Sequence, residues 1–258
     1  MKNETIYKMS GHWLLAKIGK KVLRPGGKKL TNEMVNLLNI NPNDAVVEFA
    51  PGLGYTTSII LDKNPVSYTG IDIDEKVIND LIQKFNKKSA TFLFANAAET
   101  NLENNSQTKV FGEAMLTMHA DHRKSEIIKE AHRILKIGGY YAIHELALKP
   151  DSISNEIKKN IQKELAITMN VNARPLTIEE WKNLVKEEGF EVVETKTSEM
   201  HLLEPSRIID DEGFAGFLNI VKNIATQSEV RERIIRMKKV FKKYEEHLCA
   251  VVMIAKKV

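Results

Sequence analysis

The stretch VVEFAPGLGYTT, residues 46–57, decides the fold. An apolar run ends in an acid, Glu48, and within six residues come a proline and two glycines, Gly52 and Gly54. This order predicts a strand that turns sharply into a helix, with main chain bared at the turn because glycine has no β-carbon to hold a ligand away. A tight turn with no ligand uses the same residues. The choice between the two rests on the flanking sequence.

From residue 45 onward, short β-rich runs alternate with segments of helical period. AVVEFA (45–50), SYTGIDI (67–73), TFLFAN (91–96), KVFGEAMLTM (109–118) and YYAIHELAL (140–148) are the first five expected strands. A helix in DEKVINDLIQKFNKK would place Val77, Ile78, Leu81, Ile82 and Phe85 on one face. SEIIKEAHRILKIGG is expected as a helix stopped by Gly138-Gly139. Beyond Pro150, PLTIEEWKNLVKEEGF predicts a helix capped by Thr177 with Glu180 three residues on. EVVETKT and LCAVVMIA complete seven strands. Alternation of this kind predicts an α/β fold with a largely parallel, doubly wound sheet.

The chain has 258 residues, 43% apolar and 28% charged, as expected of a soluble globular protein. No apolar run approaches the ~20 residues of a membrane-spanning helix, and the N-terminal stretch lacks a secretory pattern, so a cytoplasmic location is expected. A single cysteine, Cys249 in an apolar run, excludes an internal disulfide and is read as a buried thiol. The net charge of +4 is too small to argue for nucleic acid.

In a doubly wound sheet, ligands bind beyond the carboxyl ends of the strands, where strand order reverses. Asp72, 18 residues past Gly54, is placed to accept hydrogen bonds from ribose hydroxyls. A helix N-cap is its alternative role. Neither G-x-G-x-x-G nor G-x-x-x-x-G-K-[ST] is present. The string E-x-A-P-G-L-G instead resembles the first motif of class I S-adenosylmethionine-dependent methyltransferases, with Ala50 in place of the first glycine. GIDID (70–74) resembles the second motif, with Asp72 as the ribose acid and Ile73 as an adenine wall. ANAAE (95–99) resembles the third, with Asn96 in place of the usual acid and Ala97 beside it.

The resemblance implies a seven-stranded Rossmann-like methyltransferase sheet that binds S-adenosylmethionine. Glu48, Ala50, Gly52, Gly54, Asp72, Ile73, Asn96, Ala97 and Glu113 would line the cofactor site, Glu113 holding the cofactor's amino group. The absence of N/D-P-P-Y after the fourth strand points to the small-molecule, quinone-biosynthesis-like branch. Methyl transfer needs alignment, and a base only when the acceptor must lose a proton. His144 and Glu145 in the fifth strand are the candidate catalytic residues, His144 favoured as base, with a packed histidine as the rival reading. His119 and His122 are read as solvated rather than as metal ligands, and no metal is expected.

Residues 1–44 are expected as a helical cap over a domain of residues 45–258, with helical insertions at 151–174 and 200–246 forming a lid. Within the cap, RPGGKK (24–29) is either a cover for the cofactor or an ordinary turn. Near the C-terminus, Val230, Ile234, Met237, Phe241, Tyr244 and Leu248 form an apolar seam. Arg231, Arg233, Lys238, Lys239, Lys242 and Lys243 are read as its solvated opposite face. The expected partner is a small-molecule methyl acceptor, with nucleic acid disfavoured and a homodimer left open. The rivals are an RNA methyltransferase and a cofactor-binding interaction protein that has lost catalysis.

Overall fold

Side chains alternate across a strand, so a strand that is apolar at every position belongs between two covered faces. LCAVVMIA is such a strand. Cys249, Val251, Met253 and Ala255 enter one core, and Ala250, Val252 and Ile254 enter another on the opposite face. This computed structural model describes residues 6–86 and 90–258.

Among the described residues the chain runs through α1 (Gly11–Lys17), α2 (Gly27–Leu38), β1 (Ala45–Phe49), α3 (Tyr55–Leu61), β2 (Ser67–Asp72), α4 (Glu75–Lys84) and β3 (Ala90–Phe94). It continues through β4 (Gln107–Glu113), a short 3-10 turn (Leu116–Met118), α5 (Asp121–Ile134), β5 (Leu135–Leu148), α6 (Asn155–Met169) and β6 (Leu176–Thr177). It closes with α7 (Ile178–Glu187), β7 (Phe190–Glu199), α8 (Pro205–Thr226), α9 (Ser228–Lys243) and β8 (Leu248–Lys257).

The sheet order is β3-β2-β1-β4-β5-β8-β7, the seven strands expected, and the two-residue β6 adds to β5. β1 to β5 pair in parallel, while β8 runs antiparallel between β5 and β7. The order reverses between β1 and β4, which sets the ligand crevice beyond their carboxyl ends. The apolar stripes of α5 and α7, including Ile127, Ile128, Trp181 and Val185, cover one face of the sheet. Residues of α2, α3 and α4, among them Met34, Ile60 and Leu81, cover the other. The Thr177–Glu180 capping box forms as expected.

Three expectations need correction. Helix α5 stops at Ile134, because Leu135 is already extended and pairs with Gln107. The register then jumps to Lys109 opposite Tyr140, so Lys136–Gly139 bulge out, and Gly138, at φ +79°, shapes that bulge rather than a helix end. Ile82 lies on the solvent side of α4, 50% exposed, while Val77, Ile78 and Leu81 are buried. Arg233 belongs to the packed side of α9, where its guanidinium donates to the carbonyls of Ile6 and Met9.

Within residues 1–44, α1 and α2 pack differently. Leu14, Leu15 and Ile18 join Ile161, Leu165, Ile220, Met237 and Phe241 of α6, α8 and α9 in a third core. Helix α2 lies on the sheet itself. The seam of α9 is buried, with Leu248 supplied from β8. A fully buried ion pair, Lys20 Nζ to Asp211 Oδ2 at 3.0 Å, fastens the α1–α2 connection to α8. Asp211 also accepts from the Lys28 N–H at 2.8 Å. Removing one member of a buried pair strands the other charge. Lys20→Met is therefore expected to cost about 3–5 kcal/mol in urea unfolding, and a loss below 1 kcal/mol would show that Asp211 does not depend on the ammonium.

Candidate active site

The β1–α3 loop turns through three left-handed residues: Ala50 at φ +53°, Gly52 at +53° and Gly54 at +70°. An alanine in this region costs about 1–2 kcal/mol. That cost explains why a glycine is expected at position 50 and shows that Ala50 keeps the required conformation. The glycines serve different ends. A β-carbon on Gly54 would come within 2.6 Å of Leu81 Cδ2 and Phe85 Cε2, so glycine there lets α3 begin against α4. A β-carbon on Gly52 would meet nothing nearer than the Ala50 carbonyl at 4.0 Å, so its main chain faces open space.

Beside this loop, a cavity of about 380 Å³ is lined by Ala50, Asp72, Ile73, Asn96 and Ala97 from the ends of β1, β2 and β3. His12 and Trp13 of α1 form another wall. The N-cap role weighed for Asp72 falls to Asp74, which accepts from the Lys76 and Val77 N–H groups. Asp72 accepts from the Asp74 N–H at 3.0 Å. Burial raises its pKa, and the N–H groups of Asp74, Gly52 and Ile73 oppose that rise. Ile73 is 67% exposed at the rim. Asn96 Oδ1, expected to meet an adenine amino group, accepts from the Ala98 N–H at 3.0 Å and so holds the turn.

A second cavity, lined by Glu48, Ala50, Gly52, Arg24, Glu113 and Met115 among others, adjoins the first. The Glu113 carboxylate receives Arg24 Nη1 at 2.7 Å, Thr31 Oγ1 at 2.7 Å, Thr56 Oγ1 and His144 Nδ1 at 2.7 Å. Burial pushes its pKa upward, yet Arg24, His144 and Thr56 outweigh that push and hold it at about 2. The other ring nitrogen of His144 lies 2.6 Å from the Pro25 carbonyl. Both ring nitrogens are thus taken up by protein partners, and neither is left free for a substrate. Glu145 is as fully engaged, accepting from the N–H groups of Met115, Leu116 and Thr117 and from Thr117 Oγ1. Burial raises its pKa against those bonds.

Glu48 lies under the loop, bonded by Thr57 Oγ1 at 2.9 Å and by the Tyr68 hydroxyl. Burial raises its pKa to about 7, aided by the charge of Glu113 and opposed by Tyr68 and Thr57. The Cys249 thiol is buried and pushed up to about 11 by desolvation. No group of three or more His, Cys, Asp or Glu side chains among the described residues is placed to hold a metal ion.

Beyond the ends of β4 and β5 lies an apolar chamber of about 90 Å³, lined by Leu23, Met118, Leu165, Met169, Met200 and Phe241 among others. No stretch of sequence marks it, because its walls come from six separate segments, at residues 12–25, 114–118, 145–146, 165–173, 200–202 and 241. Arg24 and Thr56 lie in stretches quoted above but were not themselves marked as site residues, and His12 stands in no motif. The RPGGKK stretch was the available signal. Its Arg24 and its Pro25 carbonyl both reach the β4–β5 ends.

The cavity set suits an adenosine-bearing cofactor: bared main chain at Gly52, a half-buried carboxylate at Asp72 and a room of fitting size. The methyltransferase domain family matches residues 47–143. An uncharacterized protein of Haemophilus influenzae is 33% identical over 256 residues, spanning 96% of this chain and 98% of its own. Among solved structures, the MccD protein superposes with a TM-score of 0.72 at 20% identity, over 91% of this chain and 99% of that one. The Haemonchus contortus phosphoethanolamine N-methyltransferase 2 in complex with S-adenosyl-L-methionine gives 0.69 at 15% identity, over 99% of this chain and 57% of that one. The chain carries a methyltransferase domain and is a methyltransferase, with S-adenosylmethionine as its cofactor. No helix among the described residues is long and apolar enough to cross a membrane.

The loop geometry gives a paired expectation. Gly54→Ala should lower stability by about 2 kcal/mol or more through overpacking and φ strain. Gly52→Ala should cost only about 1 kcal/mol of strain while weakening S-adenosylhomocysteine binding in calorimetry. Equal stability losses with intact binding in both would contradict the assignment. Glu48 supplies a pH dependence. Its raised folded pKa means that its contribution is complete below about pH 4.5 and is lost as pH rises through about 7. In Glu48→Gln the fall in Tm between pH 5 and 7 should flatten, and an unchanged slope would remove Glu48 as its source.

Proposed function

We propose that this methyltransferase acts on a small organic acceptor whose apolar part occupies the chamber beside β4 and β5. The observation that carries this reading is the run of three cavities that share His12 and Met118 as walls. The cofactor's adenosine would lie by Asp72, Ile73, Asn96 and Ala97, and its amino-acid end by Gly52 and the Glu113 cluster, with Glu48, Ala50 and Gly54 shaping the loop. When bound, S-adenosylmethionine supplies an electrophilic methyl group.

The chain's own part is alignment and exclusion of water. Helix α1 and the insertions containing α6, α8 and α9 act as the lid. In this reading His144 and Glu145 position the β4–β5 ends and do not touch the acceptor. The basic face of α9 gives little support to an RNA substrate. Lys238 pairs with Glu204, Lys242 with Glu245, Lys243 with Glu164 and Arg236 with Glu232, so its charge is largely balanced in place.

Calorimetry with S-adenosylhomocysteine and a labelled-methyl assay on a fractionated small-molecule extract test the proposal. Asp72→Ala should weaken binding tenfold or more, as expected for about 1.5–3 kcal/mol from lost hydrogen bonds to a charged group. Unchanged affinity would move the cofactor elsewhere. Label appearing in RNA and in no small molecule would replace the acceptor class.

A further inference from the structure

We propose that His12 of α1 is the general base that takes a proton from the acceptor, so that the acceptor is an apolar-bodied molecule with a protic nucleophile, a hydroxyl or a thiol. The inference rests on the small-molecule reading above. His12 stands where the cofactor cavity, the cavity of the Glu113 cluster and the apolar chamber meet, lining all three. Its Nδ1 is buried with no hydrogen-bond partner among the described residues. The other polar groups nearest the chamber are committed: Glu145 to four donors, Glu113 to Arg24, Thr31, Thr56 and His144.

The tautomer follows from the second ring nitrogen. His12 Nε2 lies 3.3 Å from Ser10 Oγ. Were the serine the donor, the ring proton would sit on Nδ1, an orphaned buried N–H, which folded proteins avoid more strongly than an under-used acceptor. With Nε2–H donating to Ser10, Nδ1 keeps an unused lone pair on a ring that lines the cavities. Ser10 does not bond the first turn of α1 as a side-chain cap, so its oxygen is available to accept. The ring also leans on Trp13, with centroids 5.2 Å apart, which fixes its plane. Burial lowers the imidazole's pKa and keeps it neutral at physiological pH.

The step balances without any further reagent. The Nδ1 lone pair takes the proton of the acceptor's O–H or S–H, and that atom's electron pair forms a bond to the methyl carbon. The carbon–sulfur bond breaks with its electrons left on sulfur, yielding S-adenosylhomocysteine, and the imidazolium releases its proton to water afterwards. Charged groups facing these cavities from other elements are Glu48 of β1, Asp72 of β2, Glu145 of β5, the Arg24–Glu113 pair, Lys21, Asp74, His119 and Arg123.

Two measurements test the proposal. In full-length protein carrying ¹⁵N-histidine, long-range ¹H–¹⁵N spectra at pH 7.5 should show the His12 Nδ1 unprotonated, the signal being assigned by its loss in His12→Gln. A protonated Nδ1 would overturn the role. In single turnovers with labelled cofactor and the extract fraction that wild type labels, His12→Gln should slow transfer about 100-fold while binding S-adenosylhomocysteine within about threefold of wild type. Its rate should climb log-linearly with pH where wild type has levelled off. Ser10→Ala should lose about tenfold, through the tautomer. A His12→Gln rate equal to wild type sinks the base alone. Wild type that binds S-adenosylhomocysteine yet labels no small molecule sinks the acceptor class and this role with it, and wild type that does not bind sinks the cofactor site.

Discussion

The ionised Glu113 carboxylate is the interaction on which the catalytic end of the sheet depends. It stands at the end of β4 and is held by Arg24 before α2, Thr31 within α2, Thr56 in the first turn of α3 and His144 in β5. Four stretches of chain, at residues 24–31, 56, 113 and 144, meet at one buried charge. Such a charge is tolerable only when its hydrogen-bonding capacity is filled, because desolvation costs several kcal/mol and only close partners return it. Filling it fixes the approach of the N-terminal segment to the crevice. The position of α1 follows, and with it the wall that carries His12.

The fold was readable because its signals are local. Strand alternation, the glycine turn and the Thr177–Glu180 box each lie within a few residues, and the structure keeps them in the expected places. Errors occurred where a tertiary contact overrode local chemistry. The Gly138-Gly139 pair reads as a helix stop, yet Leu135 gains more by entering the sheet core than by another helical turn, and the glycines shape a bulge. Arg233 reads as a surface cation by its neighbours, and only the fold brings the carbonyls of Ile6 and Met9 to it.

The site was half legible. Gly52 and Asp72 could be placed because their positions follow from the strand ends of a doubly wound sheet. His144 was favoured from type and location, but both its nitrogens serve structure, a fact set by Pro25 and Glu113, which lie 119 and 31 residues away. His12 had no motif to mark it. Its isolation is visible only once α1, the loop after β4 and the insertions are assembled around it. The apolar chamber is likewise a product of assembly, built from Leu23, Met118, Leu165, Met200 and Phe241.

Strand β8 lies between β5 and β7, pairing with β5 from Tyr140 opposite Lys256 to Leu148 opposite Leu248. All the other strands are synthesised before it. While residues 248–257 are still inside the ribosome, the nascent chain holds a long apolar β5 with one unpaired edge, the kind of edge that recruits other chains. Closure of the sheet thus waits for β8, and a chain cut short before β8 would be left as a sticky intermediate rather than a smaller enzyme.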